Sequence, residues 1–222
     1  MGTEIKAIPK LDVIKEEEIK HLLLPGEVGA ILELVVSDKD GNITEKRVLK
    51  SKSFVRQFLE LFWIQALTIP IFIYYNVRDT SNVVQSISCH GYNYAANAGA
   101  GDITFGPVVG TGAVAPTIND YQLGTIILHD AAPPTAGRLQ YGAVTFGAPA
   151  SDATTSQFTI TRNFANASGA AITVNEIGLY TEMRGDGINT YYCMTIRDVI
   201  AGGITVPNGQ TLTVNYRLQA VV

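Results

Sequence analysis

A chain of 222 residues is long enough to bury a substantial core, and all-β domains of this length commonly stand as one unit. Charged residues make up 16% of it, against roughly 25% in an average soluble domain. The surface is therefore uncharged and polar, partly covered by another chain, or both, and a net charge of −4 gives no basic footprint for nucleic acid.

Residues 1–25 read as an arm. Within it, Asp12 to Leu24 places Ile14, Ile19, Leu22 and Leu23 against the acids Glu16, Glu17 and Glu18, a weakly amphipathic helix stopped by Pro25-Gly26. Such an arm either docks on its own domain or lies on a neighbour. The start, Met1-Gly2-Thr3-Glu4-Ile5-Lys6, lacks the apolar core of a signal peptide, so synthesis in the cytosol is expected.

Val28 to Val36 predicts a strand and Ile43 to Leu49 its return, joined by Ser37-Asp38-Lys39-Asp40-Gly41-Asn42. The Asp-Gly pair marks a hairpin. Asp38 and Asp40 lack the later bidentate Glu of a calcium loop, so they are read as turn residues. From Ser51 to Ala66 the period becomes helical. Phe54, Phe58, Leu61, Phe62 and Gln65 share one side, Arg56, Gln57 and Glu60 the other, with Ser51 or Ser53 as cap and Trp63 against a sheet.

The most apolar run, Leu61 to Tyr75, is shorter than the ~20 residues of a membrane helix and carries Gln65, Thr68 and Pro70, so no membrane contact is expected. Thr68 to Tyr75 is β-like, with Pro70 confining it to an edge or a strand start. Asn82 to Ser88 is a further short strand. Gly, Ala and Asn dominate Gly91 to Gly106, which predicts long surface loops around short strands over residues 89–120. Thr125 to His129 and Arg138 to Phe146 read as strands.

The last third alternates with period two between turn residues, the pattern of half-buried antiparallel strands. In Gln157 to Phe164, Phe158, Ile160 and Phe164 share a face. In Ala171 to Tyr180 the parity of Ile172 and Val174 is opposite to that of Ile177 and Leu179, which predicts a β-bulge near Glu176. Thr190 to Ile196 follows. In Thr211 to Leu218, Leu212, Val214, Tyr216 and Leu218 face inward.

The titratable residues show no catalytic pattern. His21, His90 and His129 lack metal-helix spacing, and Cys89-His90 are strand neighbours whose side chains diverge. Two cysteines, Cys89 and Cys193, form no disulfide framework, though one bridge between them stays open. Gly110-Thr111-Gly112 lacks the Gly-Lys-Ser/Thr of a phosphate loop. Asn42-Ile43-Thr44 and Asn166-Ala167-Ser168 match the glycosylation sequon but are read as turns. Arg184-Gly185-Asp186 sits at an expected hairpin tip, where Gly and Asp serve the turn.

Three stretches carry a resemblance. They are Gly110-Thr111-Gly112 with Ala115-Pro116-Thr117 and Asp120-Tyr121-Gln122-Leu123; Ile160-Thr161-Arg162-Asn163-Phe164 with Asn175-Glu176-Ile177-Gly178-Leu179-Tyr180; and Arg197-Asp198-Val199 with Val206-Pro207-Asn208-Gly209-Gln210-Thr211-Leu212-Thr213-Val214. Over about residues 108–222 the chain resembles a β-sandwich module of the structural proteins of tailed phages and related viruses: capsid, decoration, neck or tail.

The expectation is thus a mainly β chain: an arm (1–25), then one antiparallel, jelly-roll-like β-sandwich domain (26–222) carrying a helix (51–66). The resemblance implies a non-enzymatic component of the virion, made in the host cytoplasm and assembling with copies of itself and other virion proteins. No catalytic, cofactor-binding or metal-binding residue is expected. Self-association is expected through the arm or through the strands around Thr68–Tyr75 and Thr190–Ile196. The alternative is a glycan-binding or adhesive module that stacks sugars of a host surface or receptor on Tyr92, Tyr94 and Tyr121.

Overall fold

The computed structural model describes residues 22–51, 53–66, 74–90, 93–131, 135–185 and 189–222. Most of the expected arm helix and most of Thr68–Tyr75 lie outside these residues, and the last three residues of that expected helix, Leu22 to Leu24, are not helical. The described chain is mainly β and antiparallel. A large sheet contains β1 (Val28–Ser37), β2 (Ile43–Ser51), β12 (Thr211–Val221), β9 (Thr155–Ala165) and β6 (Gln140–Tyr141), in the order β2-β1-β12-β9-β6. The short β7 (Thr145–Phe146) and β8 (Ala150–Ser151) also pair with β9. A second sheet has the order β11-β10-β5, from β11 (Thr190–Val206), β10 (Ile172–Arg184) and β5 (Gly106–Gly110). A small ribbon joins β3 (Tyr75–Arg78) to β4 (Val84–Ile87), and one helix, α1, spans Arg56–Ala66.

The two main sheets share one core, a sandwich-like arrangement. Ala30, Leu32, Leu34 and Val36 of β1 and Leu212, Val214 and Tyr216 of β12 meet Val174, Leu179, Ile196 and Ile204 of the other sheet. The predicted alternation of β12 holds, with Leu218 half-buried at its end. The β1–β2 hairpin closes as expected: Asp38 Oδ1 accepts the N–H groups of Asp40 and Asn42, both at 2.9 Å. A minor core lies between α1, the ribbon and the far ends of β10 and β11, built from Leu61, Ile64, Val77, Ile87, Met183 and Cys193.

The bulge expected near Glu176 is present. The β10–β11 register shifts between Val174 and Glu176, opposite Gly202 and Gly203, which hold φ of 74° and 63°. From Glu176 to Thr181 every residue is buried. Both faces of β10 are covered here, one by the opposite sheet and one by the loop after β5.

Several expectations need correction. Gly106 to Gly110 belongs to no surface loop, since β5 is buried throughout and pairs with β10. Its small residues signal close approach rather than exposure: a Cβ on Gly110 would stand 2.5 Å from the Thr125 carbonyl oxygen and 2.7 Å from Glu176 Oε1. Thr125 to His129 forms only isolated bridges, Gly110 with Ile126 and His129 with Leu139. The helix opens at Arg56, not Ser51, because Ser51 still belongs to β2. Its start is pinned to β11, as Val55 N–H donates to the Thr195 carbonyl and Arg197 N–H to that of Ser53.

That tether also sets which face of α1 points inward. Gln57, Leu61 and Ile64 are buried, whereas Leu59, Phe62 and Trp63 are 64%, 59% and 47% exposed. The sequence periodicity predicts Phe62 inside and Gln57 outside; the strand-like entry through Ser53–Val55 rotates the helix away from that choice. Trp63 lies against Tyr75 of the ribbon, ring centroids 5.0 Å apart. At the end of the arm, Leu23 docks on its own domain: it lies over Gly29 and packs on Ile31 and Val221.

Candidate interaction surface

Two buried ionic centres hold the loops of the sandwich, and an apolar mouth is left beside α1. The first centre is Glu176. The bulge turns its side chain under the loop after β5, where Oε1 accepts the N–H groups of Gly112 (3.0 Å) and Thr125 (2.9 Å) and Oε2 that of Gly124 (3.1 Å). Successive backbone N–H groups form an anion-binding concavity, and here its anion is the protein's own carboxylate. Arg197 of β11, paired with Gly178 two residues along β10, donates through Nε and Nη2 to Glu176 Oε2 at 3.0 and 2.8 Å and through Nη1 to Asp120 at 2.6 Å. Nη2 also reaches the Val114 carbonyl.

Burial alone would lower the Arg197 pKa, but its bonds to Asp120 and Glu176 raise it. Burial alone would raise that of Asp120, yet the Thr117 N–H and hydroxyl, with Arg197, hold it below the usual value. Tyr180 completes the clamp by accepting the Leu123 N–H at 2.7 Å, and burial raises its pKa. Gly110, Gly112, Asp120, Glu176 and Arg197, scattered through the resemblance stretches, thus converge on one point.

The second centre is Arg162 of β9. It shares the inward face with Ile160 and Phe164, a placement missed by counting only apolar side chains, and is fully buried. Its guanidinium meets no carboxylate. Nε donates to the Gly142 carbonyl (2.9 Å), Nη1 to those of Phe105 (3.2 Å) and Pro107 (3.1 Å), and Nη2 to those of Gly99 (3.1 Å) and Asp102. The group also lies over the Tyr141 ring, 4.8 Å from its centroid. Burial pushes its pKa down to about 10, which leaves it charged at neutral pH.

The remaining candidates are dispersed. Cys89 and Cys193 are both free thiols. Cys193 is buried beside the Thr181 hydroxyl at 3.5 Å, and burial pushes its pKa up to about 12. His90 is bound through its backbone to Gln65, and His129 Nδ1 accepts the Tyr141 N–H at 3.1 Å. His21, Tyr92 and Asp186 lie outside the described residues, so the Arg184-Gly185-Asp186 tip is described only in part. Tyr94 donates its hydroxyl to the Phe58 carbonyl, and Tyr121 is half-buried with Arg78 6.0 Å from its ring centre. Asn166 ties the turn before β10 to Ala170 and Val206. Among the described residues no three His, Cys, Asp or Glu side chains are grouped to hold a metal ion, and no helix is long and apolar enough to cross a membrane.

The exposed face of α1 borders two adjoining apolar cavities at one end of the sandwich. One, of about 420 Å³, is lined by Val28, Phe54, Phe58, Leu59 and Phe62. The other, of about 280 Å³, shares Phe58 and Phe62 and continues to Phe146, Phe158 and Leu218. No charged side chain lines either cavity. The polar groups at the second are engaged within the chain, Thr195 Oγ1 on the Leu179 carbonyl and Tyr94 on Phe58. On the buried side of the helix, both amide atoms of Gln57 lack a hydrogen-bond partner among the described residues. A helix that buries an amide and exposes two aromatic rings has a surface suited to contact rather than to water. No family model, curated protein or solved structure matches the chain.

Proposed function

We propose that this chain is a non-enzymatic structural protein that works by packing against copies of itself and other proteins of a virus particle, as a capsid or tail component. The observation that carries the packing part is the apolar mouth beside α1, whose aromatic side chains match the composition of interface cores. The virion part rests on the resemblance of residues 108–222. A jelly-roll winding belongs to the same reading and is favoured by the nested pairing of β9 with β12 and β10 with β11, which is that of one long hairpin folded over on itself. The buried ions support the reading as well, since Arg162, Glu176 and Arg197 act on backbone and on each other.

The test is the solution mass of the purified chain across concentration, followed by electron microscopy of what it forms. Symmetric rings, tubes or shells are the expected result. A chain that stays monomeric at high concentration, also with other proteins of the same particle present, overturns it. Retention of that monomer on specific glycans would favour the adhesive alternative.

A further inference from the structure

The mouth has a shape and chemistry that call for an apolar occupant, and the course of the N-terminal segment indicates where one comes from. Val28 opens β1 on its inner face and lines the mouth. Just before it, Leu24 to Glu27 make a turn: Glu27 N–H donates to the Leu24 carbonyl, Gly26 takes φ 84°, and its N–H bonds the Val221 carbonyl. The turn carries Leu23 onto Gly29 and Ile31, and Leu22 joins the cluster they form with Val48 and Val221. Gly29 and Ile31 have the opposite parity to Val28, so Leu22 and Leu23 lie on the outer face of the large sheet, the face opposite to the mouth. A further 21 residues precede Leu22, including Val13, Ile14 and Ile19. An extended chain covers roughly 3.3 Å per residue, so their reach is on the order of 70 Å, enough to cross to a neighbouring molecule.

We propose that the mouth beside α1 is the seat for residues 1–21 of a second copy of this chain. This deepens the self-assembly reading and rests on it. Apolar side chains of the incoming segment fill the cavities lined by Phe58 and Phe62 and cover Leu59. Each copy offers its own segment from the outer face of one sheet and receives another between the sheets. Two copies that swap segments reciprocally form a two-fold pair, and one-way donation from copy to copy forms a ring or filament.

The test uses two full-length forms produced together, one with a photo-crosslinking residue at Ile14 and one with a distinguishing tag at its C-terminus. Mass spectrometry locates the crosslinks. The expected result is a link from position 14 of one form to α1, Phe146 or Phe158 of the other. Introducing Leu59→Asp with Phe62→Asp in the tagged form should reduce that link roughly tenfold or more, because each carboxylate must be desolvated to admit the segment. Both positions are exposed, so the melting temperature should hold; if the pair fails to fold, Leu59→Asp alone serves. Links only within one chain, links unaffected by the aspartates, or assembly with no link to the mouth would each overturn the inference while leaving the self-assembly reading intact. A chain that does not associate at all overturns both.

Discussion

Arg162 and Arg197 are both buried in the same sandwich, and they are neutralised in opposite ways. Arg197 faces two carboxylates, Glu176 and Asp120, and its pKa is raised. Arg162 donates its hydrogen bonds to backbone carbonyls and lies over the Tyr141 ring, and its pKa is lowered. The first is an ion pair that clamps the loop after β5 onto β10. The second is a hub in which one side chain replaces the hydrogen bonds that an irregular backbone over residues 99–107 would otherwise lack. A buried charge thus needs enough correctly placed acceptors, which carbonyl dipoles can supply as well as counter-ions do.

Shape and charge can be separated by substitution. Arg162→Met removes every donor and leaves five carbonyl oxygens to find water or go unpaired; a loss of about 3–5 kcal/mol is expected in urea unfolding. Arg162→Lys should be nearly as harmful, since three donors on a point charge cannot replace a five-donor fork. Arg197→Lys, which keeps an ion pair with Glu176, should cost distinctly less than Arg162→Lys. Equal losses at the two sites would break the contrast. Next comes Glu176→Gln, at about 2–3 kcal/mol, because it takes from Arg197 one of its two paired carboxylates and puts an amide group where N–H donors converge.

The smallest effect is at Asp120. Asp120→Asn should cost about 1 kcal/mol at neutral pH. Its folded pKa is depressed, so its contribution is present above the unfolded value of 3.8 and is lost as pH falls through the folded pKa. The variant's stability should fall less steeply below that pH in acid titrations. On the alkaline side the sign reverses. Tyr94, Tyr141, Tyr180 and Tyr216 all have pKa values raised above 10.0, chiefly by burial. Their stabilisation is complete below pH 10 and declines as pH rises beyond it, while Arg162, whose pKa is lowered, opposes the decline. Tyr180→Phe should flatten this limb when unfolding is followed by tyrosinate absorbance.

The same contrast shows what could be read from the sequence. The parity break in β10 predicted the bulge at Glu176, because alternation is local and its failure is local too. The positions of Arg162 and Phe164 are equally plain from alternation, but not that an arginine belongs inside: its acceptors come from residues 99–107, most of which composition marks as surface loop, and from Gly142 in a stretch that reads as strand. Small residues misled there, since Gly110 and Gly112 are small to admit Glu176. In α1 the periodicity placed Leu61 correctly but set Phe62 and Gln57 on the wrong sides, because the helix orientation is decided by the bridge from Phe54 to Ile196, a contact 142 positions apart in sequence. Long-range pairing overrode local pattern at each of these places.

The two thiols of the minor core provide a clock for local opening. Cys89 is half-buried at its margin, whereas Cys193 is sealed within it with a pKa of about 12. An alkylating reagent reacts through the thiolate and needs access, so Cys193 is modified only during excursions that lift α1 or the ribbon from β11. If it is trapped at the rate of global unfolding, the small and large cores open as one cooperative unit. If it is trapped faster, the α1 region breathes independently of the sandwich, and the gap between the two rates gives the free energy of that separate opening.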